Sequence, residues 1–568
     1  MTDVVLDIET NMTHDHVWCA VTSVVGDPDH TTHVHTDAQG LRSWLTKVSP
    51  SRIIGHNLIG FDVPVLLRTW DLDLRHYGQI YDTLVACRLI FPSPPGGHSL
   101  ANWAKLLGLK YQKQEFSDFD GGLTEEMIEY CEYDVLTNAE LFEWTLKEAE
   151  RTRFSPESLH LEHEVAWIIA EQERNGFFFD SEGAFKLYKA LDKRMKEIER
   201  ELQAVFPPIV HERWSEKTGK RLKDRVEVFN PGSRQQVAAR LAAKGAKFKE
   251  KTPTGHPKVS ETTLKELNMP EADLVEEYMR AQKKHGLCTS WFKAVQADGR
   301  IHGRVISNGT VTGRMTHTSP NLAQIPSDAD CRQLFTVPSG YKLVGCDASG
   351  LELRMLAHYM QDEEYTKAVI EGKQEDGTDV HTRNQLAAGL PTRHDAKTFI
   401  YAFLYGAGDG KIGSIIGGGA RQGAEIKDKF LAQVPALAQL QKKLEKIKKA
   451  SRTTIYNGDA GTSLPGLDGR RLWIRHDHAA LNTLLQGAGA VVMKKALVIA
   501  YRNLVERGLD FKFVANVHDE WQVEARADHA EEVGEVLRAA IVEAGEILQL
   551  RCPLDGEYHV GTNWSETH

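Results

Sequence analysis

The sequence predicts a mixed α/β chain of several domains, and three observations carry that prediction. A length of 568 residues points to three or four domains with ample cores. Residues 341–360 run from apolar, β-prone Leu343 and Val344 through Ser349-Gly350 into helical spacing at Leu353, Leu356, Ala357 and Met360. Residues 511–526 alternate apolar and polar positions on either side of His518-Asp519-Glu520, the pattern of a hairpin with those residues at its tip.

Composition narrows the classes. Seven cysteines are scattered without a Cys-x-x-Cys pair, which argues against a disulfide framework or a zinc knuckle and fits a reducing, cytoplasmic setting. Asp3, Asp7 and Glu9 make the start too acidic for a signal peptide. No apolar run is expected to reach the ~20 residues that span a bilayer. The net charge of −10 does not exclude a nucleic-acid partner, because a polyanion feels the local field rather than the sum.

In residues 1–150, Val4 to Thr10 reads as a short strand with Asp7 and Glu9 on one face. Two carboxylates that close repel each other unless a cation lies between them. Ile53-Ile54 leads into Gly55 to Asp62, and Asp82 follows in Tyr81-Asp82-Thr83. Thr124 caps a predicted helix that carries Tyr130 and Asp134 four apart on one face. Each acid taken alone also suits a surface or a helix cap.

Residues 161–173 and 185–206 read as long charged helices, and the lysines around 244–258 fall in a Gly/Pro-punctuated turn region. Most of these lysines read as a solvated face, with a subset on duplex phosphates. From 301 to 340, glycine and proline mark loops that hold Arg314 and Gln324-Ile325-Pro326. Thr392 opens a helix that ends at Gly406, with Arg393, Lys397, Tyr401 and Tyr405 in one stripe and Phe399, Ile400, Phe403 and Leu404 buried. Basic residues followed by aromatics suit a nucleoside triphosphate, although an ordinary amphipathic helix has the same pattern. The basic run from Lys442 to Arg452 suits a template or a solvated helix equally. Asn482 and Gln486 lie four apart farther on.

Asp347 ends a strand expected to be buried, where a carboxylate is costly unless paired with a cation or used as a helix cap. If the 511–526 hairpin pairs beside that strand, Asp347 and Asp519 face each other. They could then hold two Mg²⁺ ions about 3.5–4 Å apart.

These residues carry a family resemblance. Gly345 to Arg354 and Val517 to Glu520 resemble motifs A and C of family A (Pol I-like) DNA polymerases. Asp347-Ala348-Ser349-Gly350-Leu351-Glu352-Leu353-Arg354 resembles the replicative branch of short-tailed phages of the T-seven type. Arg393-x₃-Lys397-x₃-Tyr401-x₃-Tyr405-Gly406 resembles motif B. Asp7-x-Glu9, Asn57-x₃-Phe61-Asp62 and Tyr130-x₃-Asp134 occur in order and resemble the three motifs of DEDD-type proofreading exonucleases.

The resemblance implies an RNase H-like exonuclease domain over 1–150 and then a right-hand polymerase. Its thumb would be 151–300, its palm 301–360 and 483–568, and its fingers 361–482. It implies Asp347, Ala348 and Asp519 at the polymerase metals, with Glu520 beside them. In the exonuclease it implies Asp7, Glu9, Asp62 and Asp134 as ligands and Tyr130 orienting the attacking water. Arg393, Lys397, Tyr401 and His381 would meet the incoming nucleotide, and Glu352 would block a ribose 2′-hydroxyl. Tyr401 implies efficient dideoxynucleotide uptake. Arg314, Tyr405, Asn482, Gln486 and His518 would touch DNA, Arg314 in the minor groove. The implied cofactor is Mg²⁺, two per site, with Mn²⁺ able to substitute. The implied partners are primer–template DNA, dNTPs, and a helicase or single-strand-binding protein. No long thumb insertion is visible, so a thioredoxin-type processivity factor is not expected. The alternative is a 3′–5′ exonuclease whose polymerase-like half only clamps DNA, and Glu352 argues against an RNA-synthesising enzyme.

Overall fold

Strand Asp3–Thr10 has six of its eight residues buried, so it needs neighbours on both edges and both faces. It pairs antiparallel with Val17–Val24 and parallel with Arg52–Gly55. The full sheet has five strands in the spatial order 32–35, 17–24, 3–10, 52–55, 79–82. Helix Glu125–Arg151 packs on strands 3–10 and 17–24. Thr124 caps it as expected: its hydroxyl accepts from the Met127 amide at 3.1 Å, and Glu125 and Glu126 occupy the first turn, where the helix dipole favours acids. The computed structural model describes residues 2–111, 116–451, 453–454 and 460–568. Arg452, the last member of the predicted basic run, lies outside them.

The predicted charged helices are present and slightly longer, at Pro156–Asn175 and Ser181–Val205. The second packs along Pro270–Ala294. Between them lies an element the sequence reading did not anticipate, a ribbon of strands Ile209–Trp214 and Arg221–Glu227. Its residues are almost all exposed, so no buried face marks it in the pattern.

The C-terminal half is built on a four-stranded antiparallel sheet in the order 511–517, 520–526, 341–348, 556–561. The predicted hairpin does pair beside the 341–348 strand. Helix Ala530–Ile547 packs on this sheet and on helix Ala480–Glu506. One large apolar core runs from here into the 393–404 helix and its neighbours.

Helix Ala480–Glu506 corrects one expectation. It is long and apolar enough by length and composition to cross a membrane, yet most of it is buried inside the protein. Its apolar character serves a core contacted by helices 156–175, 351–360 and 530–547. Its buried Lys494 donates to Glu162 of the 156–175 helix at 2.6 and 2.8 Å, and Arg470 donates to the same carboxylate at 2.7 Å. All three side chains are at most 2% exposed. Such a cluster is tolerable only with every charge paired, so it fixes how these segments pack. Burial pushes the Lys494 ammonium down to about 8.

Candidate catalytic centres

Two acid clusters lie in separate parts of the fold. The first is on the N-terminal sheet. Alternation along the 3–10 strand puts Asp7 and Glu9 on one face, and the 125–151 helix that packs on this strand carries Tyr130, Cys131 and Asp134. The facing oxygens of Asp7 and Glu9 and the Cys131 sulfur lie within 4.8 Å of one another. The Cys131 thiol donates to Asp7 Oδ2 at 3.7 Å. Asp62 begins helix Asp62–Trp70 and is 3% exposed. Burial first, and then the Asp7 charge, hold its carboxyl well above the usual range. Its Oδ1 is buried without a hydrogen-bond partner. Glu9 and Asp134 are buried as well.

Asp82 turns out to be a scaffold. Its carboxylate accepts from the amides of Asn57 and Ile59, both at 3.0 Å, and from Leu84 at 2.9 Å. It caps the next helix and holds the loop that delivers Asp62.

The second cluster is on the C-terminal sheet. Strand Tyr341–Ala348 pairs with Glu520–Arg526 so that Asp347 lies opposite Glu520, and the Ala348 amide donates to the Asp519 carbonyl at 3.1 Å. The tip of the hairpin is the two residues His518-Asp519, with His518 in the left-handed region at φ 59°. Asp347 and Asp519 are thereby brought together. The expectation of a buried Asp347 is corrected: the strand is buried from Leu343 to Cys346, but Asp347 itself opens to solvent. Its neighbours still strip part of its hydration. That desolvation first, then Asp519 and Glu520, push its carboxyl up to about 7. Asp519 is also raised by burial, against the pull of Arg314 and His518.

Glu520 is adjacent in sequence but turned away. Its side chain is buried and accepts from Trp564 Nε1 at 2.5 Å and Gln522 Nε2 at 2.6 Å, and it meets His568 Nδ1 at 2.7 Å. Both oxygens are engaged, so the structure gives it a structural place rather than one at the cleft. Gly345 shows how close that packing is: a Cβ there would come within 2.0 Å of the Thr567 carbonyl oxygen.

Glu352 is a junction. Its Oε1 accepts from Tyr405 Oη at 2.7 Å and from Arg314 Nη2 at 3.2 Å. The strand–helix turn, the 310–318 loop and the end of the 393–404 helix meet at this one oxygen. That helix is capped by Thr392 and buries Phe399, Ile400, Phe403 and Leu404, as predicted. Lys397 is exposed, and Arg393 is turned to Asp379, donating from Nε at 3.0 Å and Nη2 at 2.9 Å. Those bonds and the one from Thr382, against partial burial, hold the Asp379 carboxyl at about 2. His381 is next to it, its ring centroid 6.3 Å from that of Tyr401, and burial lowers its basicity. Arg314, Asn482, Gln486 and His518 line a cleft of about 640 Å³ together with Gln324.

Residues 208–566 match the family model for DNA polymerase family A. The chain belongs to that family. It is 34% identical to the DNA-directed DNA polymerases of Enterobacteria phage T3 and Escherichia phage T7, in each case over 91% of this chain and 92% of the relative. It is 26% identical to the DNA polymerase I of Aquifex aeolicus over 95% of this chain and 93% of that relative. The POL domain of Pol1 from M. smegmatis, solved in complex with DNA primer-template and dNTP, shares the fold. The TM-score is 0.77 at 20% identity, covering 100% of this chain and 96% of that one.

Within this family A chain, sequence reasoning missed Cys131, Asp379 and the partners of Glu520. Asp379 had a legible signal, since an Asp directly before a helical run is a typical cap. Cys131 sits between two motif residues and had none.

Proposed function

We propose that this chain is a DNA-directed DNA polymerase that extends a primer 3′ end with dNTPs and removes mispaired 3′ ends at a second site. The observation that carries the reading is the pairing of strand 341–348 with the 511–526 hairpin, which supports Asp347 and Asp519 as the polymerase acids. The proposed division is an exonuclease over 1–150, a thumb over 151–300, a palm over 301–360 and 483–568, and fingers over 361–482.

Both clusters have donor sets that fit a hard divalent cation such as Mg²⁺, with Mn²⁺ as a substitute. At the nuclease, the buried and unpartnered Asp62 Oδ1 supports that fit. At the palm, it is two carboxylates brought together with the Asp347 carboxyl raised. Bound ions would neutralise developing phosphoryl charge and activate the attacking oxygen. Asp347, Asp519 and the main chain at Ala348 would hold one pair, and Asp7, Glu9, Asp62 and Asp134 the other. Glu520 supports the palm from behind.

The remaining residues position the reactants. Arg393 and Lys397 bind the triphosphate, Arg393 after exchanging Asp379 for phosphate, with His381 beside it. Tyr401 lies against the nucleotide sugar. Glu352, held by Tyr405 and Arg314, occupies the space a 2′-hydroxyl needs. Arg314, Asn482, Gln486 and His518 follow the minor groove of the primer–template duplex, where every correct pair presents similar acceptors. Tyr130 orients the water at the nuclease.

The test is a time course with dNTPs and Mg²⁺ on matched and mismatched primer ends. Extension of matched ends and trimming of mismatched ones is the expected result. Trimming without extension would leave only a DNA clamp in the C-terminal half.

A further inference from the structure

The nuclease cluster contains a donor that its acids do not require. Cys131 sits on the 125–151 helix one residue after Tyr130, and its sulfur points at the carboxylates. It lies 3.7 Å from Asp7 Oδ2 and inside the same 4.8 Å group as Asp7 and Glu9. Cys131 is fully buried, and the adjoining Asp62 Oδ1 is buried without a hydrogen-bond partner. A thiol among carboxylates changes what a metal pocket prefers. Oxygen alone suits Mg²⁺, whereas sulfur with two carboxylate oxygens suits a softer, four-coordinate ion such as Zn²⁺ or Cd²⁺.

We infer that Asp7, Glu9 and Cys131 form a mixed oxygen–sulfur pocket that takes a thiophilic divalent cation, Zn²⁺ or Cd²⁺, as a three-ligand site completed by water. On binding, a metal–sulfur bond forms and the thiol proton leaves to solvent. This rests on the nuclease reading of the cluster and adds a regulatory property to it: Zn²⁺ displaces Mg²⁺ there and arrests 3′ degradation. Among the described residues no thiol joins a ligand group with the palm carboxylates, so extension outlasts trimming as Zn²⁺ rises.

The experiment is a Cd²⁺ titration of the full chain, read by the ultraviolet thiolate-to-metal charge-transfer band. The wild type is expected to give one saturable band. Cys131→Ser should lose it, and Cys288→Ser, which alters a buried thiol in a different core, should keep it. Asp7→Asn should weaken Cd²⁺ binding by on the order of tenfold or more. A band that survives in Cys131→Ser, or vanishes in Cys288→Ser, overturns the assignment. Circular dichroism on each variant separates loss of the site from loss of the fold, and Cys131→Ala gives a second variant with the same expected loss. Trimming of a single-stranded 3′ end in Mg²⁺ separates the two readings. A Cys131-dependent band without any trimming keeps the pocket and removes the nuclease. Trimming without a band keeps the nuclease and removes the pocket.

Discussion

The two acid clusters solve the same electrostatic problem in opposite surroundings. On the N-terminal sheet, Glu9, Asp62 and Asp134 are buried, and a helix is laid directly over the strand that carries Asp7. On the C-terminal sheet, Asp347 opens to solvent and Asp519 is half-buried at the end of a hairpin. A covered cluster admits a single flexible strand end. An open one leaves room for a duplex and a triphosphate delivered by a separate helix. On the proposed reading, cover more than ligand type would separate the trimming site from the synthesising one.

The sharpest way to break that comparison is Asp519→Ala. Extension should fall by about 10³-fold or more, the scale for removing an electrostatic stabiliser from a transition state. Trimming should persist. Equal loss of both activities in a primer assay would mean the clusters are not independent.

The converse variant, Asp7→Ala with Glu9→Ala, should abolish trimming of a mismatched end and leave extension intact. It should also raise the melting temperature in EDTA, because two carboxylates held together without a cation repel. A lower melting temperature would show that this cluster stabilises the fold by itself.

Lys494→Met tests what the two regions share. It leaves the buried Glu162 with Arg470 as its remaining strong cation and should cost roughly 3 kcal/mol, the lower end for breaking a buried pair. Chemical denaturation measures it directly. A cost near zero would mean the network does not hold the 156–175 and 480–506 helices together.

Tyr405→Phe probes the open site more gently. It removes the 2.7 Å hydrogen bond to Glu352 and frees that carboxylate to move. Loss of one charge-assisted bond, about 1.5–3 kcal/mol, should relax discrimination against ribonucleotides by roughly tenfold or more. The readout is the ratio of dNTP to rNTP incorporation.

The last test is a pH slope. The Asp347 carboxyl is raised from 3.8 to about 7 in the folded chain, so its contribution to stability is fully present below 3.8 and is lost as pH rises towards 7. In EDTA, Asp347→Asn should flatten the fall in melting temperature across that interval. An unchanged slope would assign the fall to other groups.

Much of this was legible beforehand because it is local. The strand, turn and helix around Asp347, the hairpin at Asp519 and the capped helices at Thr124 and Thr392 each follow from spacing within a few residues. The exposed ribbon at 209–227 was not legible, since without a buried face it has no alternation to read. The membrane-length apolar content of 480–506 was missed because Lys494, which interrupts the apolar run, is paired with Glu162 inside the core.

The sequence by itself determined which acids occur, on which strands and helices, and that two sets of them exist. Only the tertiary structure decided that Glu520 turns inward to Trp564 and His568, that Arg393 rests on Asp379, and that Cys131 reaches Asp7. Periodicity fixes which side of an element a residue takes. What that side meets depends on the packing of segments far apart in the chain, and burial and charge pairing are set there.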